Sequence, residues 1–191
     1  MRRLLVTILL LVLLAGCNSQ SGEDLNGNET ELVEYNFPEE NETNPGLNNF
    51  ATLDLYANVV DQNIFRNHEL NMLNVWGTFC SPCINEMPDL GEIYREYEPL
   101  GVNIVGIVVD VQKGDGTVDY DMLKKAQDIV EYTGANYSHL LYSDNLITSF
   151  LSEVQYIPHT VFVDSEGKIV SEVYVGSRSK EEWTEIIDSM R

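Results

Sequence analysis

Residues 102–109 read Val-Asn-Ile-Val-Gly-Ile-Val-Val, an almost unbroken apolar and β-branched run. A strand with one wet face alternates apolar and polar residues, whereas a continuous run needs cover on both faces, as a central strand beneath helices does. The flanking segments fit that role. Ala51–Leu55 and Val59–Val60 predict a short opening hairpin around Ala57-Asn58, and Met72–Trp76 a strand. A helix is expected from Cys83 to about Tyr97, ending before Pro99 and Gly101, and another from Tyr120 to Thr133, stopped by Gly134. Val111–Asp119 reads as a loop, Tyr137–Leu141 as a short strand and Asn145–Leu151 as a short helix. Thr160–Val163 and Ile169–Tyr174 flank Asp164-Ser-Glu-Gly167, a hairpin signature, and Ser179-x-x-Glu182 is a capping box that starts a last helix. Alternating strands and helices followed by a late hairpin make an α/β layer fold with a central mixed sheet flanked by helices, its early parallel crossover right-handed.

The region ahead of this domain, residues 50–191, has another character. Arg2-Arg3 precede Leu4–Leu14, interrupted only by Thr7, and then Ala15-Gly16-Cys17. A positive start, an apolar stretch and small residues at the exit describe an export signal over residues 1–16. As a helix the run would span only ~18 Å against the ~30 Å of a hydrocarbon core, so it does not serve as a membrane span. Leu14-Ala15-Gly16-Cys17 resembles a bacterial lipobox, which implies acylation of Cys17 and stable membrane attachment. Residues 17–49 hold eight carboxylates and no basic residue, and are too polar to bury a core; they read as a disordered acidic tether. The chain as a whole carries 31 Asp and Glu against 11 Lys and Arg, a formal charge of -20, which excludes nucleic acid as its main partner.

Cys80-Ser81-Pro82-Cys83 holds the other two cysteines. After a strand and at the start of a helix, the first thiol sits where unpaired N–H groups and the helix dipole favour the thiolate, and the second is one turn inside. Pro82 suits a first helical turn. Structural zinc needs four ligands, and there is no second Cys pair, while His68, His139 and His159 are dispersed, so no metal or other cofactor is expected. A static disulfide across so short a loop contributes little to stability. The pair is therefore suited to exchanging two electrons with another disulfide.

Trp76-Gly-Thr-Phe79-Cys80-Ser-Pro-Cys83-Ile-Asn-Glu86-Met-Pro88 resembles the thioredoxin-like thiol-disulfide oxidoreductases of the TlpA/ResA type, and Ile157-Pro158 before Thr160–Val163 resembles the cis-proline site of that fold. The resemblance implies a thioredoxin-like fold with Cys80 as attacking thiolate, Cys83 as resolving thiol and Pro158 cis beside the bound substrate strand. Trp76, Phe79, Ile157, Pro158 and His159 are then candidate substrate contacts. Trp76 and Phe79 are most simply apolar cover for the thiols. His159, where the family more often has Thr, could tune Cys80 if it lies beside the thiols; an exposed residue at a strand edge is the preferred reading. Glu86 matches the family's carboxylate, one turn beyond Cys83, where it could take the Cys83 proton. The Asp that ordinary thioredoxin carries on the preceding strand is replaced here by Asn74. The loop at 112–119 could shape a partner surface or be a tolerated insertion.

The resemblance further implies a monomeric, lipid-anchored reductase of disulfides in exported proteins, such as apocytochrome c or a methionine sulfoxide reductase. Electrons would come from a membrane thiol transporter of the CcdA/DsbD type. The expected location is the outer face of the cytoplasmic membrane, or the outer membrane in a cell with two. A dithiol oxidase and a non-catalytic binding lipoprotein are the alternatives.

Overall fold

A computed structural model describes residues 47–191; the predicted leader, Cys17 and all of the predicted tether up to residue 46 lie outside the described residues. The chain opens with the hairpin β1 (Ala51–Leu53) and β2 (Val59–Asp61). Its turn is tied by Asp54, whose carboxylate accepts from the backbone N–H of Tyr56 and Asn58, while Ala57 takes a left-handed φ of 62°. There follow β3 (Leu70–Trp76), α1 (Ser81–Tyr97), β4 (Val102–Val108), α2 (Tyr120–Thr133), β5 (Ser138–Leu140), α3 (Asp144–Ser149), β6 (His159–Val163), β7 (Tyr174–Val175) and α4 (Lys180–Met190). Five strands form one mixed sheet in the order β5-β4-β3-β6-β7. β3, β4 and β5 run parallel, β6 runs antiparallel to β3, and β7 antiparallel to β6.

The run at 102–109 is thus an interior strand, and every residue of β4 is buried. On one face Met72, Trp76, Ile104 and Phe162 pack against Met87, Leu90 and Ile93 of α1, Ala126 and Val130 of α2, and Trp183 and Ile187 of α4. On the other, Leu73, Val75, Val105, Ile107 and Val161 meet Phe50, Phe65, Leu146 and Phe150. Leu47 is buried with this second group. Each such side chain removed from water contributes about 1.5–3 kcal/mol before the entropy of ordering it.

Besides boundary shifts such as β3 starting at Leu70 instead of Met72, three elements differ from the sequence reading for a reason visible in the structure. α1 begins two residues early, because Cys80 itself is the N-cap: its Sγ accepts the Cys83 backbone N–H at 3.3 Å. α3 begins at Asp144 under a Ser143 cap and ends at Ser149, before a 3-10 turn at Leu151–Glu153. The expected strand Ile169–Tyr174 is reduced to an isolated pairing of Ile169 with Val163 and the two residues of β7. Between them Ser171 intervenes: its hydroxyl oxygen accepts the Phe162 N–H at 2.8 Å and donates to the Glu172 carbonyl at 2.7 Å, taking over a bond that a continuous ladder would use.

Candidate active site

β3 delivers the chain to the site and α1 carries it away. Between them, Thr78 is fastened by Asp110 just beyond β4: the Thr78 N–H lies 3.0 Å from both carboxylate oxygens, and its hydroxyl donates at 2.6 Å. Asp110 was not among the expected site residues, because only the parallel pairing of β3 with β4 brings it to Thr78. Cys80 and Cys83 form a disulfide with Cα atoms 5.3 Å apart. Cys80 keeps 6% of its surface in solvent and Cys83 none. The sulfur of the less buried cysteine therefore caps the helix end, accepting the Cys83 N–H where the dipole favours a thiolate, and its partner is sealed beneath.

Glu86 lies one turn further along α1 and is buried. Its Oε1 accepts from Asn74 Nδ2 at 3.0 Å; its Oε2 accepts from the Arg178 backbone N–H at 3.2 Å and from Trp183 Nε1 at 3.4 Å. Its pKa is raised above the ordinary carboxylate value because desolvation outweighs these bonds and the Arg178 charge, all of which lower it. Asn74 Nδ2 also donates to Thr160 Oγ1 at 3.1 Å, while Asn74 Oδ1 has no partner among the described residues. Asn74 thus occupies the position of the missing strand Asp and steers the helix carboxyl that remains.

The Ile157–Pro158 peptide is cis, as the resemblance implies. Ile157 and the exposed Phe79 line an open groove of about 640 Å³ together with Val109, Ile147, Leu151 and Tyr156. Two other expected substrate contacts have different places. Trp76 is fully buried and donates its indole N–H to His139 Nδ1 at 3.1 Å, so it supports the site from within and offers no surface to a partner. That bond puts the His139 proton on Nε2, which donates to the Ala135 carbonyl at 2.9 Å, and burial pushes the His139 pKa down to about 4. His159 corrects the preferred reading of an exposed strand edge: it is buried within β6, between β3 and β7. Neighbouring strand residues face opposite ways; Thr160 points to Asn74, so His159 points to the other face, where it meets Phe150 edge-on with centroids 5.7 Å apart. Desolvation lowers its pKa, which keeps it neutral at neutral pH.

The AhpC/TSA family model matches residues 47–172, about two-thirds of the sequence. The chain belongs to the AhpC/TSA family. A model of the prokaryotic membrane lipoprotein lipid attachment site matches residues 1–18, so this family member is an exported, membrane-anchored lipoprotein. Among curated relatives, the thiol-disulfide oxidoreductase ResA of Bacillus thuringiensis subsp. konkukian (strain 97-27) is 28% identical over 147 residues, 73% of each chain. That of Halalkalibacterium halodurans is 31% identical over 119 residues, 60% of each. Among solved structures, a thiol:disulfide interchange protein of the thioredoxin family from Chlorobium tepidum TLS aligns with a TM-score of 0.61 at 23% identity, covering 73% of this chain and 91% of its own. A secreted Mycobacterium tuberculosis disulfide oxidoreductase homologous to E. coli DsbE aligns at 0.58 and 19%, covering 75% and 97%. These structures establish the thioredoxin-like fold. Its likeness to these relatives within the AhpC/TSA family makes this member a thiol-disulfide oxidoreductase, and it holds a close cysteine pair at disulfide distance.

Proposed function

We propose that the protein is a reductase of disulfides in exported proteins, held at the outer face of the cytoplasmic membrane and recharged by a membrane thiol transporter of the CcdA/DsbD type. The observation that carries this reading is the Cys80–Cys83 disulfide at the start of α1 with a buried carboxyl one turn beyond it. The Cys80 thiolate attacks a substrate disulfide, forming a mixed disulfide and releasing one substrate thiolate. Cys83 then loses its proton to the Glu86 carboxylate and attacks Cys80 Sγ. The second substrate thiolate leaves, the Cys80–Cys83 disulfide closes, and two electrons have passed to the substrate. The groove between Phe79, Tyr156 and Ile157, beside cis-Pro158, is suited to hold an apolar stretch of the partner chain.

A carboxylate close to the pair supports the reducing direction. Negative charge there disfavours the thiolates of the reduced form and so favours the disulfide, which lowers the reduction potential.

Cys83→Ser is expected to accumulate exported proteins as mixed disulfides on Cys80, and Cys80→Ser to abolish them. The wild-type couple should equilibrate near ~-270 mV or below, whereas a value near ~-120 mV would assign the protein to disulfide formation. No adduct on Cys83→Ser under mildly reducing conditions would end the reductase reading.

A further inference from the structure

Arg178 lies between β7 and α4, and no sequence motif points to it. Its backbone N–H donates to Glu86 Oε2 at 3.2 Å. Its side chain is held by neutral groups: the guanidinium carbon lies 5.0 Å from the centroids of both the Tyr174 and the Trp183 rings, and Nη1 donates to the Gly176 carbonyl at 3.0 Å. Trp183 reaches the same Glu86 oxygen with its indole N–H, so the residue that stacks on the cation also binds the carboxylate. Two aromatic faces and a carbonyl keep this cation in one place, half-buried, where its field is screened less than that of a solvated side chain.

We infer that Arg178 is a positioning residue for Glu86: its backbone N–H aims the carboxylate, and its guanidinium, clamped over Trp183, keeps a fixed positive charge on that side of it, readying Glu86 to accept the Cys83 proton. The inference rests on the role given to Glu86 above. The energetics agree with the geometry, since both the Arg178 N–H and the Arg178 charge oppose the rise in Glu86 proton affinity that burial causes. Of the other groups, Tyr137 ahead of β5 has its phenol pushed up by burial and by the Glu86 charge, Cys83 on α1 is held in the disulfide, and Tyr174 on β7 packs against Arg178 and Trp183. Asp89 and Lys180 are occupied elsewhere: Asp89 accepts the Lys180 backbone N–H, and the Lys180 ammonium bridges Glu92 and Glu96. The polar groups that β3 and β6 bring to Glu86 are the neutral Asn74 and, bonded to it, Thr160.

The test is a carboxyl NMR titration of Glu86 in the oxidised full chain, comparing the parent with Arg178→Met and Arg178→Lys. Met keeps an apolar cover on Trp183 and removes the charge, so its midpoint should rise by about half a pH unit, roughly a threefold gain in proton affinity. Lys keeps the charge and should shift the midpoint by less than half as much. Arg178→Gln replaces Met if that variant does not fold. A midpoint unmoved without the charge, or moved equally by Lys, overturns the inference, whatever the melting temperatures do. The pH profile of Cys83 attack is read in parallel. If the carboxyl titration shifts and that profile does not follow, Arg178 keeps its role and the role of Glu86 in the reaction falls.

Discussion

At Glu86 a carboxyl with 2% of its surface exposed accepts three hydrogen bonds and still holds its proton above the ordinary range. A folded-state pKa raised above the unfolded one means that the acid form stabilises the fold: this contribution is full below the unfolded value of 4.5 and is lost as pH rises through the folded value. Above that range the buried group therefore weighs against stability, as a base kept for the proposed proton transfer does. Glu86→Gln is expected to melt higher than the parent at pH 7, with the gap closing as pH falls, when oxidised forms are compared by thermal denaturation. Gln fits because the Asn74 amide can turn and offer its oxygen, unpartnered among the described residues, to the new N–H₂. The same variant should slow attack by Cys83 about 100-fold at pH 7, the lower end of what a positioned base contributes. A lower melting point at pH 7, or an unchanged exchange rate, would contradict this account. Glu86 was legible because it stands one helical turn from Cys83. Arg178 and Trp183 were not, being 92 and 97 residues away in the chain.

Among the elements, β4 shows how far a pattern reaches. Its apolar continuity foretold an interior strand, yet Gly106 within it reads as a weakness, since glycine has no side chain to pack. The fold explains the glycine: a Cβ at 106 would lie 2.3 Å from His139 Nδ1, the atom that accepts the Trp76 indole N–H. Gly106 makes room for the ring that secures Trp76 beneath the site. Gly106→Ala should therefore destabilise the protein by about 1–3 kcal/mol, as overpacking does, measured as a lower urea midpoint. Near-UV circular dichroism should report the disturbed tryptophan environment; an unchanged midpoint would show that the ring can yield. The late hairpin marks the limit of such reading. Its β-branched residues suggested a second strand from 169, but the Ser171 hydroxyl, a local competitor for the backbone, decides where pairing resumes.

For the whole molecule, the anchor and the chemistry belong to separate parts of the chain. The lipid attachment signature ends at residue 18, and the AhpC/TSA match begins at 47. Cys17→Ser should abolish incorporation of labelled palmitate and release the protein from the membrane fraction. The potential of the Cys80–Cys83 couple should stay the same, because both sulfurs, the helix end that carries them and Glu86 are unchanged. Persistent membrane association would refute the anchor. What the sequence determined by itself is what depends on neighbours in the chain: a strand covered on both faces, a cysteine pair at a strand–helix junction, a capped last helix and an export leader. Periodicity, capping and helix dipoles act over one or two turns and leave a local trace. The tertiary structure alone decided that Trp76 and His159 turn inward, that Glu86 is buried, and that Arg178 stands over Trp183 beside it. Burial and charge proximity depend on segments nearly a hundred residues apart meeting on one face of the sheet, and no short stretch of sequence encodes that meeting.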